Sequence, residues 1–333
     1  MTLDDWRIFG VEAALGFIIT AIVGFVLLLL LRRLGVRQTV YEDAPETHLV
    51  KTGTPTMGGL AILAAIVPFW FLSWDPGTRA LLFLVFACAA IGFIDDLLGI
   101  RFGKNRGLRA RTKLLLTALV AVTFLRLAAD SDYHVSMGRI LFPQDTLFHA
   151  GGFELHVAHW LWLLLGVVAI TGTIHAVNLT DGLDGLATGS LIPPLIVLWV
   201  IAIGMSIPAG DNWPIILPAA IGGLMAFLLY NAFPAKMIMG DTGSLALGAL
   251  LSGAAILTGE MLLLVIIGAV FVAETLSVML QVAYFKLTHG KRIFKMSPLH
   301  HHFELSGWPE TKVTTRFWIA SAICSAVGLA IVR

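Results

Sequence analysis

Apolar residues in this chain fall into long runs, and the polar residues gather between them. The runs lie near residues 9–31, 57–73, 80–98, 113–129, 157–177, 186–206, 214–233, 242–258, 261–285 and 313–332. Each is about 17–25 residues long, which lets a helix cross a hydrocarbon core about 30 Å thick. The pattern predicts an all-α polytopic membrane protein with about ten transmembrane helices. The connections are short and no internal repeat stands out, so residues 1–333 read as a single integral membrane domain. The longest connection, about 130–156, is mixed and contains glycine. It is expected to hold a small hairpin and no chemistry.

Composition supports this reading. Hydrophobic residues make up 58% of the chain and charged residues 13%, against roughly 45–50% and about 25% in soluble domains. Cys88 and Cys324 both sit inside apolar runs, so neither a disulfide framework nor a cysteine metal site is expected. The N-terminal MTLDDWRIFG lacks a basic stretch and a small-residue cleavage site, and the first run is read as retained. A net charge of +1, with the basic residues clustered in loops between the runs, points to no nucleic-acid partner.

Loop charge gives a direction. Sixteen Lys and Arg fall in alternate loops on one side and four on the other, with Arg126 and Arg316 inside runs. By the positive-inside rule the basic side faces the cytoplasm, and both termini lie on the outer, periplasmic side. Trp6, Trp74, Trp160 and Trp213 are then expected in an aromatic belt at the outer interface.

Five polar segments land on the basic side. Asp95-Asp96 closes the third run, at a helix end whose dipole disfavours anions. Such a placement calls for a cationic partner or a function, although a solvated helix end is the plainer reading. Asn178-Leu-Thr-Asp181-Gly182-Leu-Asp184-Gly185 joins runs five and six. It has more Asn, Asp and Gly than a turn requires, and Asp181 and Asp184 would share a helical face. Asn231 is followed by Met239-Gly-Asp241-Thr-Gly-Ser, which opens run eight. A helix start can bind an anion, and Asp241 could either cap that helix or hold a divalent cation. Ser297-Pro-Leu-His300-His301-His302 has three consecutive histidines, which cannot all point one way. One or two would face a pocket and donate to phosphate oxygens. Lys51-Thr-Gly-Thr-Pro-Thr56-Met-Gly-Gly enters run two and suits phosphate contact or simple helix entry. Within run nine, Glu274, Ser277 and Gln281 form a polar stripe. Intramembrane Glu normally faces a cavity or a partner.

Many Asp, together with Lys, His, Asn and a helix start, suit Mg²⁺ and phosphoryl transfer, in which positioning and charge neutralisation dominate. A site at the membrane edge suggests one lipid and one soluble substrate. A transporter would instead place its site near the midplane, often between two related halves.

The segments NLTDGLDGLA, MGDTGSLALG, GTPTMGG, the paired Asp and SPLHHHFELSGWPETKVTTRFW resemble those of the phospho-N-acetylmuramoyl-pentapeptide-transferases. These are a branch of the polyprenyl-phosphate N-acetylhexosamine-1-phosphate transferases. The resemblance covers nearly the whole chain. It implies transfer of phospho-MurNAc-pentapeptide from UDP-MurNAc-pentapeptide to undecaprenyl phosphate with Mg²⁺, giving lipid I and UMP. This would be the first membrane step of peptidoglycan synthesis, in the bacterial cytoplasmic (inner) membrane among membrane lipids, with the site facing the cytoplasm. The alternative is a UDP-GlcNAc:polyprenyl-phosphate GlcNAc-1-phosphate transferase.

By motif, the resemblance implies that Asp241 is the Mg²⁺ ligand, with Asp95 a second candidate. Asp95, Asp96, Asp241 and His300 would be catalytic, with Asp95 accepting the lipid phosphate proton or helping to place the metal. Asn178, Asp181, Gly182 and Asp184 would form the uridine-side pocket. Lys51, Thr56, Asn231, Gln281, His301 and His302 would lie near sugar and phosphate. Two positions depart from the family pattern. Ile238 stands where many relatives carry an aromatic residue, and Gly99 where many carry Lys, so Arg101 or Lys104 is the expected substitute. The oligomeric state is left open, a homodimer being among the states the sequence admits.

Overall fold

A computed structural model describes residues 2–35, 53–73, 75–102, 107–130, 146–150, 153–156, 159–204 and 212–332. The chain forms α1 (Leu3–Leu34), α2 (Gly59–Leu72), α3 (Pro76–Phe102) and α4 (Ala110–Asp130). Strands β1 (Thr146–Ala150) and β2 (Phe153–His156) follow, then α5 (His159–Thr180) and α6 (Leu186–Gly204). A 3₁₀ turn, Trp213–Ile215, leads into α7 (Ile216–Asn231), and α8 is Gly240–Leu257. A second 3₁₀ turn, Met261–Leu263, precedes α9 (Leu264–Ile267) and α10 (Ala269–Leu287). Short α11 (Leu299–Glu304) and long α12 (Glu310–Val332) complete the chain.

Among the described residues, every apolar run is mainly helical. Among the described residues, eight helices are long and apolar enough to cross a membrane. The other two expected runs form the 14-residue α2 and the 21-residue α4, which carries Arg111, Lys113 and Arg126. The hairpin expected in the long connection is present, with Thr146 opposite His156 and Ala150 opposite Phe153.

Helix α8 is the axis of the bundle, and all its residues from Thr242 to Leu257 are buried. It packs against α3, α5, α2 and α6. Its sequence, GDTGSLALGALLSGAAIL, is rich in small residues. Helices in lipid associate by such close approach, because apolar burial gives them little driving force there. Large apolar side chains that do not pack inward, such as Ile18, Ile22 and Phe25 of α1, lie on the outside.

Three expectations need correction. Run nine is not one helix but a 3₁₀ turn, a single α turn and α10, divided at Gly268. Glycine costs about 1 kcal/mol relative to alanine inside a helix, which favours a break there. Asp95 and Asp96 do not end their helix, since α3 continues to Phe102. Of the belt tryptophans, Trp6 and Trp160 are exposed but Trp213 is fully buried in the core, and Trp74 lies outside the described residues.

Candidate active site

The polar segments converge at one end of the bundle, around the start of α8. Glycines make this possible. A Cβ on Gly92 of α3 would lie 2.2 Å from the Asp241 carbonyl oxygen, and one on Gly59 of α2 would lie 2.1 Å from Gly243 Cα. Backbone hydrogen bonds from Gly58 N to Ile238 O (2.9 Å), from Gly59 N to Met239 O (2.9 Å) and from Ile238 N to Pro55 O (2.8 Å) lock the entry of α2 to the entry of α8. Gly58 and Gly59 of GTPTMGG therefore serve helix approach. Thr56 is buried in this seam, and Lys51 lies outside the described residues.

At the centre, the Lys113 ammonium lies between two carboxylates. It is 3.1 Å from Asp95 Oδ2 and in tight contact with Asp241 Oδ2. Asn178 Nδ2 donates to Asp241 Oδ1 and to Ser244 Oγ, both at 2.8 Å. Leu108 N donates to Asp95 Oδ1 at 2.6 Å. The side chains of Lys113, Asp95 and Asp241 are 15%, 15% and 23% exposed, so a ligand can reach them. Most of these bonds join side chain to side chain across α3, α4, α5 and α8.

Asp96 behaves differently. Its carboxylate accepts from Asp241 N (3.1 Å), Thr242 N (3.0 Å) and Thr242 Oγ1 (2.6 Å). It caps α8 from another helix. Met239, at the N-cap position, makes no side-chain cap of its own. The anion expected at this helix start is thus an internal carboxylate, which satisfies the free N–H groups and suits the positive end of the dipole. Asp241 is left free of capping and turns to Lys113 and Asn178.

The Asp181–Gly185 turn joins α5 to α6 and is held largely from behind. Asp181 is half-buried at its start, and its N–H donates to Asn178 O at 3.2 Å. Asp184 is buried and its Oδ2 accepts from Ala235 N at 2.9 Å. Its N–H donates to Glu310 Oε1 at 2.7 Å, and its carbonyl accepts from Thr314 Oγ1 at 3.4 Å. Trp318 Nε1 donates to Gly185 O at 3.0 Å. Asn231 is buried. Its Oδ1 accepts from Gly185 N (3.2 Å) and Thr188 Oγ1 (2.7 Å), and its Nδ2 donates to Met237 O (3.1 Å). Asn231 and Asp184, expected to face substrate, are therefore engaged in holding loops together.

The histidines diverge, as three consecutive residues must. His300 is fully buried beside Glu274 of α10. His301 Nδ1 lies 2.9 Å from Glu304 Oε2, and His302 Nδ1 accepts from Lys295 N at 3.1 Å. The polar stripe of α10 is present, with Glu274, Ser277 and Gln281 all buried. Gln281 Oε1 accepts from Ile293 N and Phe294 N at 3.0 Å each, and its Nε2 donates to Phe294 O at 3.3 Å. It thus holds the loop that carries the histidines.

Lys113 was not among the residues singled out from the sequence. It supplies the cation expected of Arg101 or Lys104. Arg101 is exposed, with its guanidinium over the Phe102 ring, and Lys104 lies outside the described residues. The available signal was a lysine at the first position of run four, where a charge meets the membrane edge. Glu310, Thr314 and Trp318 were quoted only as part of a motif. Their i, i+4, i+8 spacing puts them on one face of α12, the face that grips the turn.

Residues 78–259 match the glycosyl transferase family 4 model, and residues 51–63 match the phospho-N-acetylmuramoyl-pentapeptide-transferase signature 1. The chain is 43% identical to the phospho-N-acetylmuramoyl-pentapeptide-transferase of Desulforudis audaxviator, over 96% of this chain and 97% of the relative. It is 40% identical to that of Desulforamulus reducens, over 98% and 96%. It is 41% identical to that of Staphylococcus epidermidis, over 96% and 98%. Both the bundle and the polar cluster lie within that shared length, and the chain belongs to the phospho-N-acetylmuramoyl-pentapeptide-transferase family.

Proposed function

We propose that this protein transfers phospho-MurNAc-pentapeptide from UDP-MurNAc-pentapeptide to undecaprenyl phosphate, forming lipid I and UMP in peptidoglycan synthesis. The observation that carries the reading is the Asp95–Lys113–Asp241–Asn178 cluster, partly exposed at one end of a membrane bundle, in a member of this family. The excess of Lys and Arg in the loops at that end supports a cytoplasm-facing site, and the reaction itself would belong to the bacterial inner membrane.

The donor set suits Mg²⁺. Two carboxylates share the one ammonium of Lys113 and a third, Asp96, caps α8 beside them, which leaves a surplus of negative charge at one place. Among the described residues no group of three or more His, Cys, Asp and Glu could hold a metal by itself. Mg²⁺ needs no such cage, because it takes one or two carboxylates and completes its shell with substrate oxygens and water. Asp241, with Asp95, would hold the ion, which when bound neutralises charge on the diphosphate.

Asp95 accepts the proton of the lipid phosphate if one is present. A lipid phosphate oxygen then attacks the sugar-side phosphorus of the UDP-sugar, the bond to the UMP oxygen breaks, and UMP leaves. Lys113 offsets the charge on the transferring phosphoryl group, and Asn178 keeps Asp241 in place. This direct route needs no covalent phospho-enzyme. A cavity of about 390 Å³ between α5, α8 and the broken ninth span is walled mainly by apolar residues, with Thr173 and Thr275 the polar side chains among the described residues that line it. It offers a berth for the prenyl tail.

The test is UMP release with undecaprenyl phosphate and either UDP-MurNAc-pentapeptide or UDP-GlcNAc. Turnover with the MurNAc donor supports the proposal, and turnover with UDP-GlcNAc alone overturns it. Asp95→Asn is expected to lower kcat by more than it weakens nucleotide-sugar binding. An equal loss in both would remove Asp95 from the chemical step.

A further inference from the structure

Glu274 lies outside the carboxylate cluster, and the reaction described above does not use it. It is fully buried on α10, an expensive place for a carboxylate. Both of its oxygens address a single residue. His300 N donates to Oε1 at 3.2 Å, and His300 Nδ1 lies 3.1 Å from Oε2. That second approach is a close contact and not a hydrogen bond, and neither Nδ1 nor Oε2 has a hydrogen-bond partner. The main chain of His300 is thus bonded to this carboxylate, and its ring lies beside the same group.

The other ring nitrogen is the unusual one. His300 Nε2 is buried and has no hydrogen-bond partner. It points at the acidic turn, where a Cβ on Gly182 would lie 2.3 Å from it. Gly182 itself is only half-buried, so the nitrogen sits just beneath an accessible stretch of backbone. A carboxylate beside Nδ1 accepts only, so in a neutral imidazole the proton belongs on Nδ1 and Nε2 is left as an acceptor. A buried acceptor without a donor is costly, and one placed just beneath a half-buried glycine turn is within reach of a donor brought there.

We propose that Glu274 is a positioning residue for the nucleotide-sugar subsite, holding His300 as the Nδ1–H tautomer so that Nε2 presents a lone pair to an N–H or O–H of the bound donor at Gly182. The proposal rests on the transferase reading above together with the expectation, implied by the family resemblance, that Asp181, Gly182 and Asp184 border the uridine side of the nucleotide sugar. Such a ligand carries suitable donors in its imide N–H, its hydroxyls and its amide N–H. Gly182 is then glycine because any side chain would drive the ring off its carboxylate.

Nitrogen NMR of histidine-labelled full-length protein in lipid nanodiscs tests the tautomer, with His300→Gln identifying the signal. The expected result is protonated Nδ1 and bare Nε2 before substrate is added. In Glu274→Gln the amide can donate to Nδ1, and the proton should move to Nε2. The KM for UDP-MurNAc-pentapeptide should then rise about 10-fold while that for undecaprenyl phosphate stays within about 2-fold. Glu274→Asp, which keeps the carboxylate, should recover part of the loss. A proton on Nε2 in the unaltered protein overturns the proposal. So does a Glu274→Gln variant whose two KM values are unchanged or rise together. If that variant does not fold, the unaltered tautomer and Gly182→Ala decide, the latter being expected to raise the same KM alone. Absence of turnover with either nucleotide sugar would sink the reaction proposed above, while the NMR result would still judge the tautomer independently.

Discussion

Asp241 and Asp184 are both aspartates in glycine-flanked motifs at the same end of the bundle, and they do opposite things. Asp241 faces the side chains of Lys113 and Asn178 and is partly exposed. Asp184 is buried, and its bonds include Ala235 N, Glu310 Oε1 and Thr314 Oγ1, partners drawn from the loop after α7 and from α12. The two asparagines divide in the same way. Asn178 serves Asp241 and Ser244, whereas Asn231 ties Gly185, Thr188 and Met237 together. Bonds between reachable polar side chains can be exchanged for bonds to a ligand without unfolding anything. Bonds to buried backbone groups cannot, because each group released is left unsatisfied in an apolar setting. The residue type is the same in both regions, and the partner decides its work.

The comparison breaks first at Asp241. Asp241→Asn removes charge from the cluster without removing the hydrogen-bond acceptor that meets Asn178. We expect UMP release to fall by about 10³-fold or more, with the melting temperature in detergent nearly unchanged. Near-normal turnover would move the metal and the chemistry elsewhere. Lys113→Met comes next. It leaves Asp95 and Asp241 facing each other without their shared cation, and a loss of about 10²-fold is expected. A variant that loses stability but keeps turnover per folded molecule would make Lys113 a strut like Asn231.

Asn231→Ala probes the other region. It deletes three buried hydrogen bonds, and each partner left unsatisfied costs about 1–3 kcal/mol. The expected result is a clear fall in melting temperature, with KM for the nucleotide sugar little changed in the molecules that remain folded. The reverse pattern, an intact melt with a raised KM, would return Asn231 to the substrate pocket that its motif suggested.

Much of this division was legible in the sequence, and the rest has identifiable reasons for being hidden. The ten apolar runs and the one-sided polar motifs follow from periodicity and loop charge alone. The division between Asp95 and Asp96 also had a signal, since the side chains of adjacent residues on a helix point about 100° apart and so meet different groups. Asp95 turns to Lys113, and Asp96 turns to the start of α8. The Lys113–Asp241 contact had no local signal, because it joins residues 128 apart and depends on how α4 and α8 pack. Trp213 could not be assigned a face from the sequence, because the belt rule gives depth in the membrane and not the face of the helix. Its ring turns inward and is fully buried.

Gln281 is the finest test, because its motif assigns it to the substrate and its hydrogen bonds assign it to the loop. Its carbonyl oxygen accepts from Ile293 N and Phe294 N, and its amide donates to Phe294 O. Gln281→Glu keeps the two accepting bonds and loses only the donor, so Phe294 O then faces a carboxylate oxygen. If the residue belongs with Asn231, the cost is about 1 kcal/mol of stability, smaller than for Asn231→Ala because two of the three bonds persist. KM for UDP-MurNAc-pentapeptide should then stay within about 3-fold of normal. If the residue belongs with Asp241, a new negative charge beside an anionic substrate should raise that KM by about 10-fold or more while the melting temperature hardly moves. Measuring both quantities on this one variant places Gln281 on one side of the division or the other. Gln281→Ala then checks the placement, because a loop tie must lose more stability when all three bonds are gone than when one is.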